Sequence, residues 1–246
     1  MMKGLILSLQ FLTRIPIHIN IDFNHENIRK STFFFPLVGG LIGALAAIGY
    51  LVFLPISREL GAFATVLLII VLTGGLHLDG LADTMDGFLS NKDKEKTLDI
   101  MKDSRIGAFG VIGLILIILL KYVLLVNMPK LPLVLILSLA NSRLVAVIMM
   151  TYKKTARPNG LGNLFHQSLP KPYLISSAII YMILLLFLNP IYIIPLLGAY
   201  LLGEFVSHIA YNKVDGLTGD VYGTIIEISE AISLILFMGV NQWILF

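Results

Sequence analysis

The sequence predicts an all-α protein, a polytopic integral membrane bundle of about seven transmembrane helices with a further helix at its N-terminus. Three observations predict this fold: 57% of the 246 residues are hydrophobic, only 13% are charged, and the apolar residues fall in runs long enough to cross a bilayer. Soluble domains carry about 25% charged residues, so this chain lacks the polar surface that a soluble domain needs. The absence of cysteine excludes disulfides and thiolate metal sites.

Long apolar runs define the predicted elements in order. Seven are interpreted as spans, namely 33–56, 60–81, 107–127, 131–151, 173–188, 191–211 and 223–246. Segment 4–17 is too short to span and contains Arg14, which predicts an interfacial or re-entrant helix. Lys121 lies inside the third span and is expected to extend its amine toward the interface. We expect residues 1–246 to form a single transmembrane helical domain.

The distribution of Lys and Arg predicts the orientation. If the N-terminus is cytoplasmic, fourteen of these residues fall on the inner side and only Arg58 and Lys130 fall outside. The long connections 82–106 and 152–172 then also lie inside, and long loops in compact proteins are usually functional. One of them contains an Arg157–Gly162 turn that is a candidate for substrate contact. The sequence therefore predicts a multi-pass protein of the cell membrane with its active site at the cytoplasmic face.

The most informative motif carries three aspartates. Asp79, Asp83 and Asp86 follow one another at i, i+4 and i+7, which places them on one face of a helix. Carboxylates at the edge of a membrane need a countercharge, and oxygen ligands favour Mg²⁺ or Mn²⁺. Gly80 and its neighbouring glycines leave the backbone open to a ligand. A solvated acidic helix end is the alternative interpretation.

A second acidic element follows the sixth predicted span. Thr218, Gly219 and Asp220 form a turn that suits a phosphate and a metal, and Glu227 continues the acidic pattern into the last span. If both acidic motifs lie at one membrane face, they are two halves of a metal–phosphate site. A simple Asp-Gly turn is the alternative.

Basic residues supply two further candidates. Arg105, beside Asp103 and Lys102, is suited to neutralise a phosphate, although a positive-inside anchor explains it equally well. Arg143 lies within the fourth span, where a charged residue is a functional candidate. Two interpretations stay open for Arg143: contact with a ligand, or a structural pair with Glu204 or a helix-end acid.

Five segments together resemble the cobalamin synthase family, also called adenosylcobinamide-GDP ribazoletransferases. They are Phe-Leu-Thr-Arg-Ile-Pro at 11–16, Phe-Pro-Leu-Val-Gly at 35–39, His-Leu-Asp-Gly-Leu-Ala-Asp at 77–83, Met-Lys-Asp-Ser-Arg-Ile-Gly at 101–107 and Leu-Thr-Gly-Asp at 217–220. The likeness covers about residues 5–230, and the segment 77–83 is its most specific part. One departure is Asp215, which stands where a glycine is expected.

The resemblance implies a Mg²⁺-dependent transfer in cobalamin biosynthesis. A hydroxyl of α-ribazole, or of its 5′-phosphate, attacks the cobinamide-side phosphorus of adenosylcobinamide-GDP and releases GMP, giving adenosylcobalamin or its 5′-phosphate. The implied partners are these small molecules and the lipid bilayer, with no nucleic acid; a homo-oligomer is left open.

The resemblance and the residue patterns described above together give the candidate roles. Asp79, Asp83 and Asp86 are implied metal ligands. The catalytic candidates are His77, Asp103, Arg105 and Asp220, and the candidates for substrate binding are Gly80, Lys102, Arg143, Thr218, Gly219 and Glu227. Arg105 or Lys102 would stabilise the departing GMP, and Asp220 would bind a second metal or the ribazole hydroxyl. The general base is left open between His77, Asp103 and Glu227.

Two other functions are compatible with clustered membrane acids. CDP-alcohol phosphotransferases also use clustered aspartates with Mg²⁺, but their pattern has Ala-Arg after the first Asp pair, and Thr84 follows Asp83 here. An ion-coupled transporter would place its acids near the bilayer midplane on broken helices, whereas these acids gather at one face.

Overall fold

The computed structural model describes residues 1–157, 160–168 and 170–243. This part of the chain contains twelve α-helices and no β-strand, which confirms the all-α prediction. They are α1 (Met2–Leu12), α2 (His25–Ser31), α3 (Phe35–Phe53), α4 (Arg58–Thr73), α5 (Leu76–Leu89), α6 (Lys94–Ile100), α7 (Ala108–Val126), α8 (Leu131–Tyr152), α9 (Leu161–Gln167), α10 (Lys171–Leu188), α11 (Ile193–Val214) and α12 (Gly219–Trp243).

Six helical segments are long and apolar enough to cross a membrane. They are His25–Phe53, Ala108–Val126, Leu131–Tyr152, Lys171–Leu188, Pro190–Val214 and Gly219–Asn241. A seventh exists if α4 and α5 together form one broken span. These six or seven helices confirm the predicted multi-pass membrane bundle; positions 244–246 of the last predicted span lie outside the described residues.

The second predicted span, 60–81, is wrong as a single straight helix. The chain bends by 88° between α4 and α5, because Gly74 and Gly75 both adopt positive φ angles, +65° and +69°. These angles lie in the left-handed region, which ends an α-helix and favours glycine. The acidic motif therefore begins a separate helix, and this helix continues to Leu89 through a stretch predicted as loop.

Other boundaries also differ from the prediction. The N-terminal helix α1 ends at Leu12 rather than at residue 17, and the following Arg14 donates its backbone N–H to Leu72 O at 2.7 Å. Pro16 disfavours a helical conformation of the residue before it, which limits how far α1 can extend. The long connections contain the short helices α6 and α9.

Helix α8 is the centre of the bundle, with most of its residues buried against α3, α11 and α12. Its contact with α3 is close because a Cβ at Gly43 would lie 2.6 Å from the carbonyl oxygen of Leu135. Close approach through small residues is typical of membrane helices, where van der Waals packing replaces the hydrophobic effect. Helix α12 packs on α8 and also on α5, so it links the core to the acidic motif.

Four charged side chains lie inside the bundle and form what we call the buried network: Lys121, Arg143, Glu227 and Glu230. Lys121 Nζ lies 2.6 Å from Glu227 Oε2 and 2.5 Å from Glu230 Oε2, and Arg143 pairs with Glu230. The expectation that Lys121 extends toward the interface is wrong, because only 6% of its side chain is exposed. Two cations and two anions neutralise each other here, which membrane burial requires.

Candidate active site

Glycines bring α5 and α12 into backbone contact. A Cβ at Gly80 would lie 2.8 Å from Asp220 O, and a Cβ at Gly223 would lie 3.1 Å from His77 O. Thr224 Oγ1 adds a hydrogen bond across the contact by donating to Gly80 O at 3.2 Å. Larger side chains at Gly80 or Gly223 would push the helices apart. The two acidic motifs, predicted to share one membrane face, therefore meet at this crossing.

The carboxylates at this crossing form the acidic cluster, which we define as Asp79, Asp83, Asp86 and Asp220. Asp79, Asp86 and Asp220 are all close enough to Asp83 to repel its negative charge. Among the described residues, neither the Asp79 nor the Asp83 carboxylate has an ion-pair partner or a hydrogen bond. The cluster thus carries excess negative charge that the protein leaves largely uncompensated.

Asp86 has protein partners that the other α5 aspartates lack. Its Oδ2 accepts a hydrogen bond from Gly107 N–H at 2.7 Å, and its Oδ1 accepts one from Gly110 N–H at 2.8 Å. These amides belong to the first turn of α7, where backbone N–H groups have no partner inside the helix. Asp86 therefore caps α7 from a distance and fixes it against α5. Its assignment as a metal ligand stays a prediction.

An isolated parallel β-bridge between Thr155 and Leu217 holds the loop before α12 in place. Ala156 N–H donates to Leu217 O, and Leu217 N–H donates to Lys154 O, both at 2.9 Å. Gly216 lies against this segment with a φ of +157°, and a Cβ there would be 2.8 Å from Ala156 N. The contact joins the predicted inner connection 152–172 to the second acidic motif.

Arg157 reaches Asp220 as a result of this contact, with 3.6 Å between its Nη1 and Asp220 Oδ2. Thr218 Oγ1 also donates to Asp220 Oδ2, at 3.1 Å. From the sequence, the Arg157–Gly162 turn is a candidate for substrate contact because of its position in the long inner connection, and that position gives no sign of the pairing with Asp220. In the described part of the chain, Arg157 is the one positively charged side chain close to the acidic cluster.

Two adjoining cavities open beside the acidic cluster and share Gly162, Gly219 and Asp220. The first, about 190 Å³, is the base cavity, defined by Phe11, Leu76, His77, Met150, Phe165, Tyr222 and Ile226, with Asp79 at its edge. The second, about 210 Å³, is the polar cavity, defined by Thr155, Arg157, Asn163 and Thr218. The predicted residues His77, Asp79, Gly80, Thr218, Gly219 and Asp220 all line one of these cavities.

Other predicted site residues lie elsewhere. Lys102, Asp103 and Arg105 occupy the exposed turn before α7, and Arg105 Nη2 donates to Asp103 Oδ2 at 2.7 Å. This hydrogen bond and the guanidinium charge lower the pKa of Asp103 to about 2, which makes it a weak base at neutral pH.

Arg143 and Glu227 both belong to the buried network and line neither the base cavity nor the polar cavity. Of the two interpretations left open for Arg143, the structural pair fits its position. Its partner is Glu230, however, while Glu204 pairs with Lys153 at 2.5 Å.

The donor set suits a hard divalent cation, although it forms no complete protein cage. In the ranges 1–157, 160–168 and 170–243, no three His, Asp or Glu side chains gather as a ready-made metal site. Mg²⁺ is usually held by only one or two carboxylates together with water and substrate phosphates. The uncompensated carboxylates of Asp79 and Asp83 fit that mode of binding.

Comparison with known proteins shows the family of the chain. A family model described as cobalamin-5-phosphate synthase matches residues 4–238. A relative from Treponema denticola, named adenosylcobinamide-GDP ribazoletransferase, is 42% identical over 93% of this chain and 95% of its own length. Relatives with the same name from Clostridioides difficile and Clostridium botulinum (strain Langeland) are 41% and 36% identical, over 95% and 96% of this chain and 96% and 98% of their own lengths. No solved structure matches the chain.

These matches cover nearly the whole chain, including both acidic motifs and the segments that line the two cavities. They confirm the resemblance that the five sequence segments indicated. The chain therefore belongs to the cobalamin-5-phosphate synthase family.

Proposed function

We propose that this protein is an adenosylcobinamide-GDP ribazoletransferase, a phosphotransferase that acts in cobalamin biosynthesis. It transfers the adenosylcobinamide phosphate group to α-ribazole or its 5′-phosphate and releases GMP. The observation that carries the proposal is the largely uncompensated acidic cluster at the α5–α12 crossing, in which Asp79 and Asp220 line the two cavities. Relatives with this name share 36–42% of their residues with the chain.

The chemistry requires neutralised charge and accurate positioning more than covalent catalysis. Asp79 and Asp83 would hold Mg²⁺, with Asp86 as the further predicted ligand, and the bound ion would neutralise the diphosphate. Without such a cation the acidic cluster would repel a diphosphate. The unpaired state of Asp79 and Asp83 therefore supports an external countercharge.

Asp220 is suited to orient the acceptor and accept its proton, because its carboxylate lies where the two cavities meet. Thr218 and Arg157 hold this carboxylate in place. In the transfer, the acceptor hydroxyl oxygen forms a bond to the cobinamide-side phosphorus. The bond from that phosphorus to the bridging oxygen breaks, GMP leaves with the bridging oxygen, and the hydroxyl proton passes to Asp220.

The membrane setting follows from the distribution of charge. Lys and Arg lie mainly on the side of the inner connections, which favours a cytoplasmic N-terminus and a cytoplasmic active site in the cell membrane. Charged substrates made in the cytoplasm would reach the cavities from that side.

The direct test is a turnover assay with the full chain in lipid nanodiscs. Adenosylcobinamide-GDP, α-ribazole and Mg²⁺ should give GMP and adenosylcobalamin in equal amounts, and chelation of divalent ions with EDTA should stop the reaction. Running α-ribazole 5′-phosphate in parallel identifies the preferred acceptor. Lack of GMP release with either acceptor, together with ion flux in vesicles, would contradict the proposal and favour a transporter.

A further inference from the structure

The base cavity contains two buried polar atoms without partners. His77 is 4% exposed and Tyr222 is 2% exposed, and both line this cavity. In the part of the chain that the structure describes, neither His77 Nδ1 nor the Tyr222 hydroxyl has a hydrogen-bond partner. Leaving a buried polar group without a hydrogen-bond partner is unfavourable. Two such groups lining one cavity point to a ligand that brings a polar atom into it.

The other walls of this cavity are apolar and partly aromatic. The rings of Phe11 and Phe165 pack with their centroids 5.0 Å apart, and Met150 and Ile226 add aliphatic surface. An apolar cavity of about 150 Å³ is large enough to bind benzene. At about 190 Å³ the base cavity fits a small planar ring system that carries few polar atoms.

The polar cavity continues from the base cavity at Gly162, Gly219 and Asp220. Thr155, Arg157 and Thr218 line it and offer hydroxyls and a guanidinium. The two cavities together therefore fit a molecule with an apolar aromatic end and a polar, hydroxylated or phosphorylated end. Asp220 faces the junction between these two ends.

We infer that the base cavity binds the aromatic base of the acceptor nucleoside, with the Tyr222 hydroxyl donating a hydrogen bond to its free ring nitrogen, and that the polar cavity binds the sugar. This inference rests on the proposed function, whose acceptor α-ribazole joins a dimethylated benzimidazole to ribose. That base has two methyl groups and a single free ring nitrogen, which matches a mainly apolar cavity. The arrangement places the ribose hydroxyls beside Asp220.

Guanine, the base of the donor, fits this cavity less well. It presents several hydrogen-bond donors and acceptors along its edges, and these need more polar partners than two unpaired atoms provide. The geometry thus assigns the acceptor, rather than the guanosine end of the donor, to the base cavity.

Tyr222→Phe tests the inference because it removes only the hydroxyl. Losing one hydrogen bond to a ligand weakens binding about three- to tenfold. We expect the KM and the calorimetric Kd for α-ribazole to rise by this factor, while the KM for adenosylcobinamide-GDP stays the same. Since the hydroxyl has no partner in the free protein, the thermal midpoint should stay unchanged or rise.

Tyr192→Phe is the matched control. Tyr192 is also buried, but its hydroxyl bonds to Asn241 Oδ1 at 3.4 Å, and it lines neither cavity. This variant should keep the wild-type KM for α-ribazole. A second variant, Ile226→Phe, narrows the base cavity and should weaken α-ribazole binding more than Tyr222→Phe does.

The outcomes separate the inference from the proposed function. Unchanged α-ribazole affinity in both Tyr222→Phe and Ile226→Phe, with normal GMP release, would overturn the inference and leave the function intact. A selective rise in the KM for adenosylcobinamide-GDP would also overturn it, because the cavity would then hold the donor. Guanosine added to the wild-type protein should not displace α-ribazole, and competition between them would contradict the assignment.

Discussion

Helix α12 carries two charged regions that differ in how their charges are balanced. The buried network, two to three turns into the helix, pairs Glu227 and Glu230 with two cations, and at most 6% of any of these side chains is exposed. The first turn of α12 contributes Asp220 to the acidic cluster. Among the described residues, Arg157 is the one cation that approaches the four carboxylates of this cluster. Both regions are acidic in sequence, but only the first is neutral in the fold.

The difference shows how to distinguish structural acids from functional ones in a membrane bundle. Charges that serve the fold must be paired, since the bilayer interior supplies neither water nor counterions. Carboxylates left unpaired at the edge of the bundle repel one another, and a bound cation can relieve this repulsion. Their effects on stability and on activity should therefore separate when each region is altered.

The largest effect is expected for Arg143→Met in the buried network. It leaves Glu230 with Lys121 alone and gives the network a net negative charge. The free energy of unfolding should therefore fall by about 3–5 kcal/mol. The measurement is the thermal midpoint and folded yield in detergent. Glu204→Gln, which breaks the partly exposed pair with Lys153, is the control and should change little.

The double variant Arg143→Met/Glu230→Gln sharpens this test. It restores neutrality around Lys121 and Glu227, so it should recover part of the lost stability. If the single and the double variants were equally unstable, charge balance would not be what holds the network together.

In the acidic cluster, Asp83→Asn should remove activity and spare the fold. GMP release should fall by at least about 10²–10³-fold, the usual cost of losing one essential electrostatic contact. The thermal midpoint should stay constant or rise because repulsion from Asp79, Asp86 and Asp220 is relieved. Glu95→Gln, on the exposed surface of α6, is the matched control with full activity.

Asp86→Ala should reduce both stability and activity, the first by less than Arg143→Met does and the second by less than Asp83→Asn does. It removes the carboxylate that accepts hydrogen bonds from Gly107 and Gly110, so about 0.5–2 kcal/mol of stability should be lost, as for other helix caps. Asp79→Ala, measured beside it by thermal unfolding, should lose none. Equal midpoints for the two variants would contradict the capping role of Asp86.

The smallest effect is expected at the surface pair of Lys94 and Asp215, 2.5 Å apart. Lys94 lowers the pKa of Asp215, so the pair stabilises the fold at neutral pH and loses this effect as the pH falls through that lowered pKa. Both side chains are exposed, and water screens them. Lys94→Ala should therefore lower the thermal midpoint only slightly at neutral pH and not at all at acidic pH, and a large loss at neutral pH would show that the pair is not screened.

Much of the fold could be predicted because membrane insertion depends on local composition. Runs of about 20 apolar residues are visible in the sequence, and six of the predicted spans correspond to single long helices. The bend at Gly74 and Gly75 was missed because two glycines inside an apolar run give little sign of their backbone angles. Aspartates spaced at i, i+4 and i+7 were recognisable since helix periodicity is a local property.

The sequence did not indicate which residues far apart in the chain form ion pairs or hydrogen bonds with each other. The sequence indicated Glu204 or a helix-end acid as the partner of Arg143, and the pairing with Glu230 depends on how α8, α11 and α12 rotate and pack against one another. The same holds for Lys121, for the contact of Arg157 with Asp220, and for Asp86 as the cap of α7.

The amino-acid order thus specified the membrane-spanning helices, the family and the acidic motifs, because each of these depends on residues that are close together in the chain. Which acids are neutralised and which stay free, and where the two cavities open, depended on the packing of helices far apart in the chain. Electrostatic energy depends on distances in space, and those distances exist only once α5, α7, α8 and α12 have come together.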